Sequence, residues 1–88
     1  MVDQDISIYS EKGVSFSGKI KDGCLSLTSE VWGTYDSEQH IEFTKEQTEK
    51  LFSLVSLEEF LKLCREKRLS GMWEFLEAND IHPSSITI

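Results

Sequence analysis

Cysteine and histidine are the side chains from which a small protein most readily builds a nucleophile or a metal site. This chain has two of each: Cys24, Cys64, His40 and His82. A zinc site needs ligands spaced so that one turn presents two of them to one ion, as in C-x2-C or H-x3-H, and neither spacing occurs. Cys64 with His40 would be a nucleophile–base pair, but Cys64 falls on the apolar face of a helix, where a buried, inert thiol is expected. Glu58 and Glu59 are adjacent carboxylates in the first turn of a helix, where the macrodipole accounts for them. The five glycines are scattered and form no phosphate-cradling pattern. These readings point to a protein that is not an enzyme and that uses no cofactor and no metal ion. The cysteines form no CxxC motif. One pair could close a disulfide; two reduced, partly buried thiols are the expected state.

The elements that position these residues follow from two hydrophobic periods. Up to Phe43 apolar residues alternate, the period of strands. Ile6 and Ile8 mark a first strand, Val14, Phe16, Gly18 and Ile20 a second. Leu25, Leu27 and Val31 mark a third, with Ser29 in the remaining inward slot, and Ile41 and Phe43 a fourth. Asp22-Gly23 is a tight-turn signal, since both residues tolerate positive φ. "SEKG" and "TYDSEQ" read as the other connections. From Thr44 the period becomes helical. "TKEQ" and "SLEE" are capping-box patterns, Thr44 with Gln47 and Ser56 with Glu59. Leu51, Phe52, Leu54 and Val55 belong to the first helix; Leu57, Phe60, Leu61 and Cys64 form the apolar face of the second. Ser70-Gly71 is expected to break it, and Met72, Phe75 and Leu76 to line a third helix, ended by Asn79-Asp80 and Pro83. The tail "SSITI" alternates Ile86 and Ile88 and reads as an edge strand. The expected fold is α+β: an antiparallel β-meander of about four strands, then two or three helices packed on one face, within one domain spanning residues 1–88.

The chain carries a net charge of −7, and its isoelectric point is near 4.7. Such a surface repels phosphates, so neither nucleic acid nor an anionic membrane is the expected partner; a basic protein is. No apolar run approaches the ~20 residues needed to cross a bilayer, and "MVDQDISIYS" lacks the pattern of a signal peptide. A cytoplasmic monomer or weak dimer is the expectation. The basic cluster "KLCREKRLS", with Lys62, Arg65, Lys67 and Arg68, reads as a solvated helix C-terminus rather than an RNA-binding patch.

Charge is also segregated along the chain. Residues 22–49 hold seven acids against Lys45 alone, a net −6 of the total −7. Within them, "SEVWGTYDSEQHIEF" has four carboxylates, a tryptophan and a tyrosine, with no lysine or arginine. If Leu25, Leu27 and Val31 face the helices, Ser26, Thr28, Glu30 and Trp32 face the other way, beside His40 and Glu42. Tyr35, Asp36 and Glu38 are expected in the connecting loop. Glu30, Trp32, Tyr35, Asp36, Glu38 and Glu42 are therefore the candidate partner-binding residues: the aromatics as anchors, the acids pairing with lysine or arginine. Two other readings stand beside this one. Trp32 would instead cover a second small core or fold over Gly33 against Tyr35, and the acids would serve solubility and discourage edge pairing.

In its size, its acidity and its order of strands, helices and short strand, carried by "DGCLSLTSEVWG", "YDSEQHIEFTKEQTEKL" and "FLEANDIHPSSITI", the chain resembles small acidic bacterial immunity proteins of toxin–immunity pairs, such as contact-dependent growth inhibition systems. The resemblance implies binding and blockade of a cognate toxin, commonly a basic nuclease, whose nucleic acid a carboxylate-rich surface would mimic. A small adaptor or regulatory domain in a larger assembly is the alternative.

Overall fold

The computed structural model describes residues 2–33 and 36–87. In chain order the elements are β1 (Gln4–Glu11), β2 (Val14–Lys21), β3 (Cys24–Val31), β4 (Ser37–Glu42), α1 (Lys45–Leu54), α2 (Leu57–Ala78) and β5 (Ser85–Thr87). The described strands form one antiparallel sheet in the order β1-β2-β3-β4-β5. This is the expected α+β fold, with the tail pairing as a fifth strand on β4 and two helices rather than three. No helix among the described residues is long and apolar enough to cross a membrane.

The inner face of the sheet carries Ile6, Ile8, Phe16, Ile20, Leu25, Leu27, Ile41 and Phe43, all buried against Leu51 of α1 and Phe60, Cys64, Met72 and Leu76 of α2. Asp22 and Gly23, both at positive φ (54° and 80°), close the β2–β3 hairpin in two residues, as the sequence signal requires. Gly18 sits where a Cβ would come within 2.7 Å of the Ser26 carbonyl oxygen, so β2 and β3 approach there without a side chain. Buried Thr48 ties α1 to the sheet: its hydroxyl accepts from the Leu25 N–H (3.0 Å) and donates to the Thr44 carbonyl (2.8 Å).

Four details differ from the sequence reading. Val31, expected inward, is 41% exposed at the last position of β3, where its partner on β4 is the exposed Ser37. The Thr44 hydroxyl caps α1, but the Gln47 side chain accepts from the His82 N–H instead of reaching back, which fastens the tail to α1. Ser70-Gly71 does not end α2. The helix kinks earlier, at Arg68 (φ 62°, ψ −163°), and continues to Ala78. Arg65 and Arg68 are exposed, as expected, but they are not without partners. A bulge between Ser7 and Tyr9 turns β1 carbonyls outward, and Arg65 takes them: Nε donates to Ile8 O (2.7 Å) and an Nη to Ser7 O (3.0 Å). Arg68 pairs with Glu11 and lies over the Tyr9 ring, 4.4 Å from its centroid. Arg65 and Arg68 therefore cover the β1 edge, which would otherwise offer free carbonyls to another strand.

Arg68 occupies a backbone region that is essentially restricted to glycine, at a cost of about 1–3 kcal/mol. Its contacts with Glu11 and Tyr9 hold it there. The kink brings Lys67 so close that a Cβ on Gly71 would lie 2.0 Å from the Lys67 Cβ. Past the kink, α2 ends in a Schellman arrangement, with Asp80 at φ 56° in the usual glycine position, Asp80 N–H to Glu77 O (3.2 Å) and Ile81 N–H to Leu76 O (2.9 Å).

Replacing glycine by alanine inside a helix ordinarily stabilises by about 1 kcal/mol. Gly71→Ala is expected to do the reverse, costing about 1–3 kcal/mol in urea unfolding because a Cβ–Cβ clash cannot relax by rotamer change; a stabilised variant would refute the kink. Arg65→Ala is expected to cost roughly 1.5–3 kcal/mol, the range for hydrogen bonds to a charged group, and to speed hydrogen exchange in β1. Unchanged exchange there would show that Arg65 does not hold the edge.

Candidate functional site

The burial of Leu25, Leu27, Ile41 and Phe43 fixes the opposite face. The Phe43 N–H donates to Leu25 O (3.0 Å), so Leu25 and Phe43 form a hydrogen-bonded pair across β3 and β4. By alternation, Leu27–Ile41 and Ser29–Gln39 are also hydrogen-bonded pairs, and Ser26–Glu42, Thr28–His40 and Glu30–Glu38 are non-hydrogen-bonded ones. In pairs of the second kind the side chains stand closest. Thr28 Oγ1 and His40 Nδ1, 3.3 Å apart, show this directly. Glu38 is thus on β4, not in the loop, and it faces Glu30 in the close type of pair. Like charges directly opposite each other destabilise a sheet.

Trp32 follows Glu30 at the end of β3 and is 45% exposed. Its N–H donates to the Gly13 carbonyl of the β1–β2 turn (2.9 Å), which fixes its backbone while leaving the indole open. Asp36 Oδ1 accepts from the Gly33 N–H (3.2 Å), drawing the two ends of the β3–β4 connection together. Glu30, Val31, Trp32, Asp36, Ser37 and Glu38 line an open concavity of about 390 Å³. Among the described residues, the basic side chain within salt-bridge distance of these acids is His40, whose Nε2 lies 3.0 Å from Glu38 Oε1. No lysine or arginine of the described residues pairs with Glu30, Asp36 or Glu38.

Of the candidate residues, the structure brings Glu30, Trp32, Asp36 and Glu38 to one corner of the sheet. Glu42 lies apart, four residues along β4 from Glu38, or roughly 13 Å, in the row of Ser26 and Lys19. Tyr35 lies outside the described residues. Val31 and Ser37 join the corner without having been singled out from the sequence. Alternation carried back from Ile41 through Gln39 to Ser37 would have placed Glu38 on the strand and Ser37 beside Val31; the polar run "TYDSEQ" concealed it.

The other residues considered for chemistry do not converge. His40 is on the outer face, and Cys64 is fully buried beneath the inner one, so the sheet lies between them. His82 pairs with Asp80 (2.8 Å), which, with Lys50 nearby, holds the Asp80 carboxyl below its ordinary value. Among the described residues, no three metal-ligating side chains cluster. Both cysteines are free thiols, Cys24 half-buried. Burial pushes the Cys64 thiol up to about 12, Arg65 opposing the shift.

The raised value means that Cys64 stays protonated in the fold while an unfolded chain ionises near 9.0. Its contribution to stability is full below that pH and is lost as pH rises toward 12. In native protein a thiol reagent should titrate Cys24 and spare Cys64, and stability should fall less steeply above pH 9 in a Cys64→Ala variant than in the parent; rapid modification of both thiols would contradict the buried placement. Comparison with protein-family models, with curated proteins and with solved structures finds no match to this chain.

Proposed function

We propose that this chain is a non-enzymatic immunity protein, which binds and neutralises a cognate basic toxin, of the nuclease type, through the corner formed by Glu30, Trp32, Asp36 and Glu38. The observation that carries the reading is the close pairing of Glu30 with Glu38 beside an exposed, backbone-anchored indole, with no lysine or arginine of the described residues between them. A surface serving only solubility gains nothing from opposed carboxylates, and it gains nothing from an exposed tryptophan. For binding a basic protein, the acids steer the encounter and the aromatic excludes water at the contact. A phosphate-binding active site is a surface that such a group of carboxylates complements, since it presents the charge of nucleic acid without a scissile bond. The reading needs neither cofactor nor metal and places the protein in the cytoplasm of the producing cell.

The test is capture of a partner from the producing cell on immobilised chain, followed by assay of that partner with and without added chain. The expected result is a basic protein whose nuclease activity is abolished stoichiometrically. Glu30→Lys with Glu38→Lys should slow its association by about tenfold or more and flatten the salt dependence. Trp32→Ala should weaken binding by about 2 kcal/mol, chiefly through faster dissociation. Glu42→Lys should do much less, given its distance. A captured partner that retains full activity, or one that binds the Glu30→Lys/Glu38→Lys variant at an unchanged rate, would overturn the proposal.

A further inference from the structure

We infer that the concavity at the Trp32 corner is a receptor for one arginine side chain of the partner, the guanidinium bridging Glu30 and Glu38 and stacking on the indole. This deepens the reading of the protein as a binder of basic proteins and rests on it for the source of the arginine.

The argument runs from the strand register. Glu30 and Glu38 form a non-hydrogen-bonded pair, the arrangement that sets opposite side chains closest. Their repulsion is unrelieved by any lysine or arginine among the described residues, and the one cation-forming neighbour, His40, reaches Glu38 alone, at 3.0 Å. A single planar cation placed between the carboxylates would turn the repulsion into two charge-assisted hydrogen bonds. The remaining lining selects among cations. Trp32 supplies an aromatic wall and Asp36 completes the rim, while Val31 and Ser37, of the opposite strand parity, border the concavity at the sheet end. Guanidinium is planar, weakly hydrated and stacks on aromatic faces; ammonium is a compact, strongly hydrated point charge. A site with two opposed acids and an indole therefore discriminates in favour of arginine. It is also preorganised, since the Trp32 backbone is held by Gly13 and the Asp36 side chain by Gly33.

The experiment is a magnetic-resonance titration of the isotope-labelled full chain, at low salt, with N-acetyl-arginine amide and separately with N-acetyl-lysine amide. Saturable shifts are expected at the Trp32 indole N–H and at the amides of Glu30, Val31, Ser37 and Glu38, with the arginine amide binding at least about fivefold tighter. The double variant E30Q/E38Q should bind it about tenfold more weakly or worse and should unfold at a higher urea concentration than the parent, because the opposed charges are gone. Equal binding of the two amides, shifts spread evenly over Glu42, Glu46 and Glu49, or undiminished binding by E30Q/E38Q would overturn the inference. If the amide fails while E30K/E38K still slows a basic partner, the receptor is wrong and the proposed function stands. If the amide binds as described while no basic protein is captured, the receptor stands and the toxin-binding reading falls.

Discussion

The outer surface of this protein is dictated by what its inner surface buries. Leu25, Leu27, Ile41 and Phe43 lie beneath the two helices, and side chains alternate along a strand with a period of two. A slip of one residue between β3 and β4 would misalign Leu27 and Ile41 in the core, and the hydrophobic loss forbids it. The same register leaves Glu30 opposite Glu38. Their juxtaposition is not a local preference of either strand; it is imposed from the other side of the sheet. The Leu25 N–H bonded to the Thr48 hydroxyl locks the alignment to α1 as well, so core packing, helix docking and the acidic corner all depend on one choice of pairing.

Where hydrophobic period or turn chemistry decided the structure, the sequence was legible. The alternating meander, the Asp22-Gly23 hairpin, the Ser56–Glu59 capping box and the return of the tail beside β4 all follow from local signals. The candidate corner was partly legible, since the parity of β3 put Glu30 and Trp32 on one side. Glu38 was misplaced because polar residues at a strand's exposed end look like a loop; only pairing with β3 makes them a strand. The contribution of Arg65 was hidden for a related reason. Its partners are the backbone carbonyls of Ser7 and Ile8, and no side-chain pattern announces which carbonyls a bulge will free.

The kink in α2 shows one of these long-range effects acting on the chain itself. Propensity would end the helix at Ser70-Gly71, where glycine is weakest. The break falls at Arg68 instead, at a backbone conformation that disfavours any side chain. At the kink Arg68 makes its ion pair with Glu11 and stacks on Tyr9, and both partners sit on β1 just past its bulge. Gly71 then serves a different purpose from the one its type suggests: it leaves room for Lys67 on the inside of the bend. Bulge, arginine pair and kink form one device that closes the β1 edge of the sheet.

The two ends of the outer face can be compared on the same physical terms. In the row of Glu42, Lys19 stands two strands away, with Asp5 beyond it, so opposite charges interleave across Ser26, as expected of a face that only needs solvation. At the other end, Ser15 lies beside Glu30, which faces Glu38. A lysine at either acidic position would fit the same strand and replace repulsion by an attraction worth roughly 0.2–1 kcal/mol. Neither carboxylate is needed for burial, capping or register, and Trp32 leaves nearly half its surface in water although its backbone is fixed. The fold's own stability therefore argues against this combination of residues, and that is the ground on which the proposed binding of a positively charged partner rests.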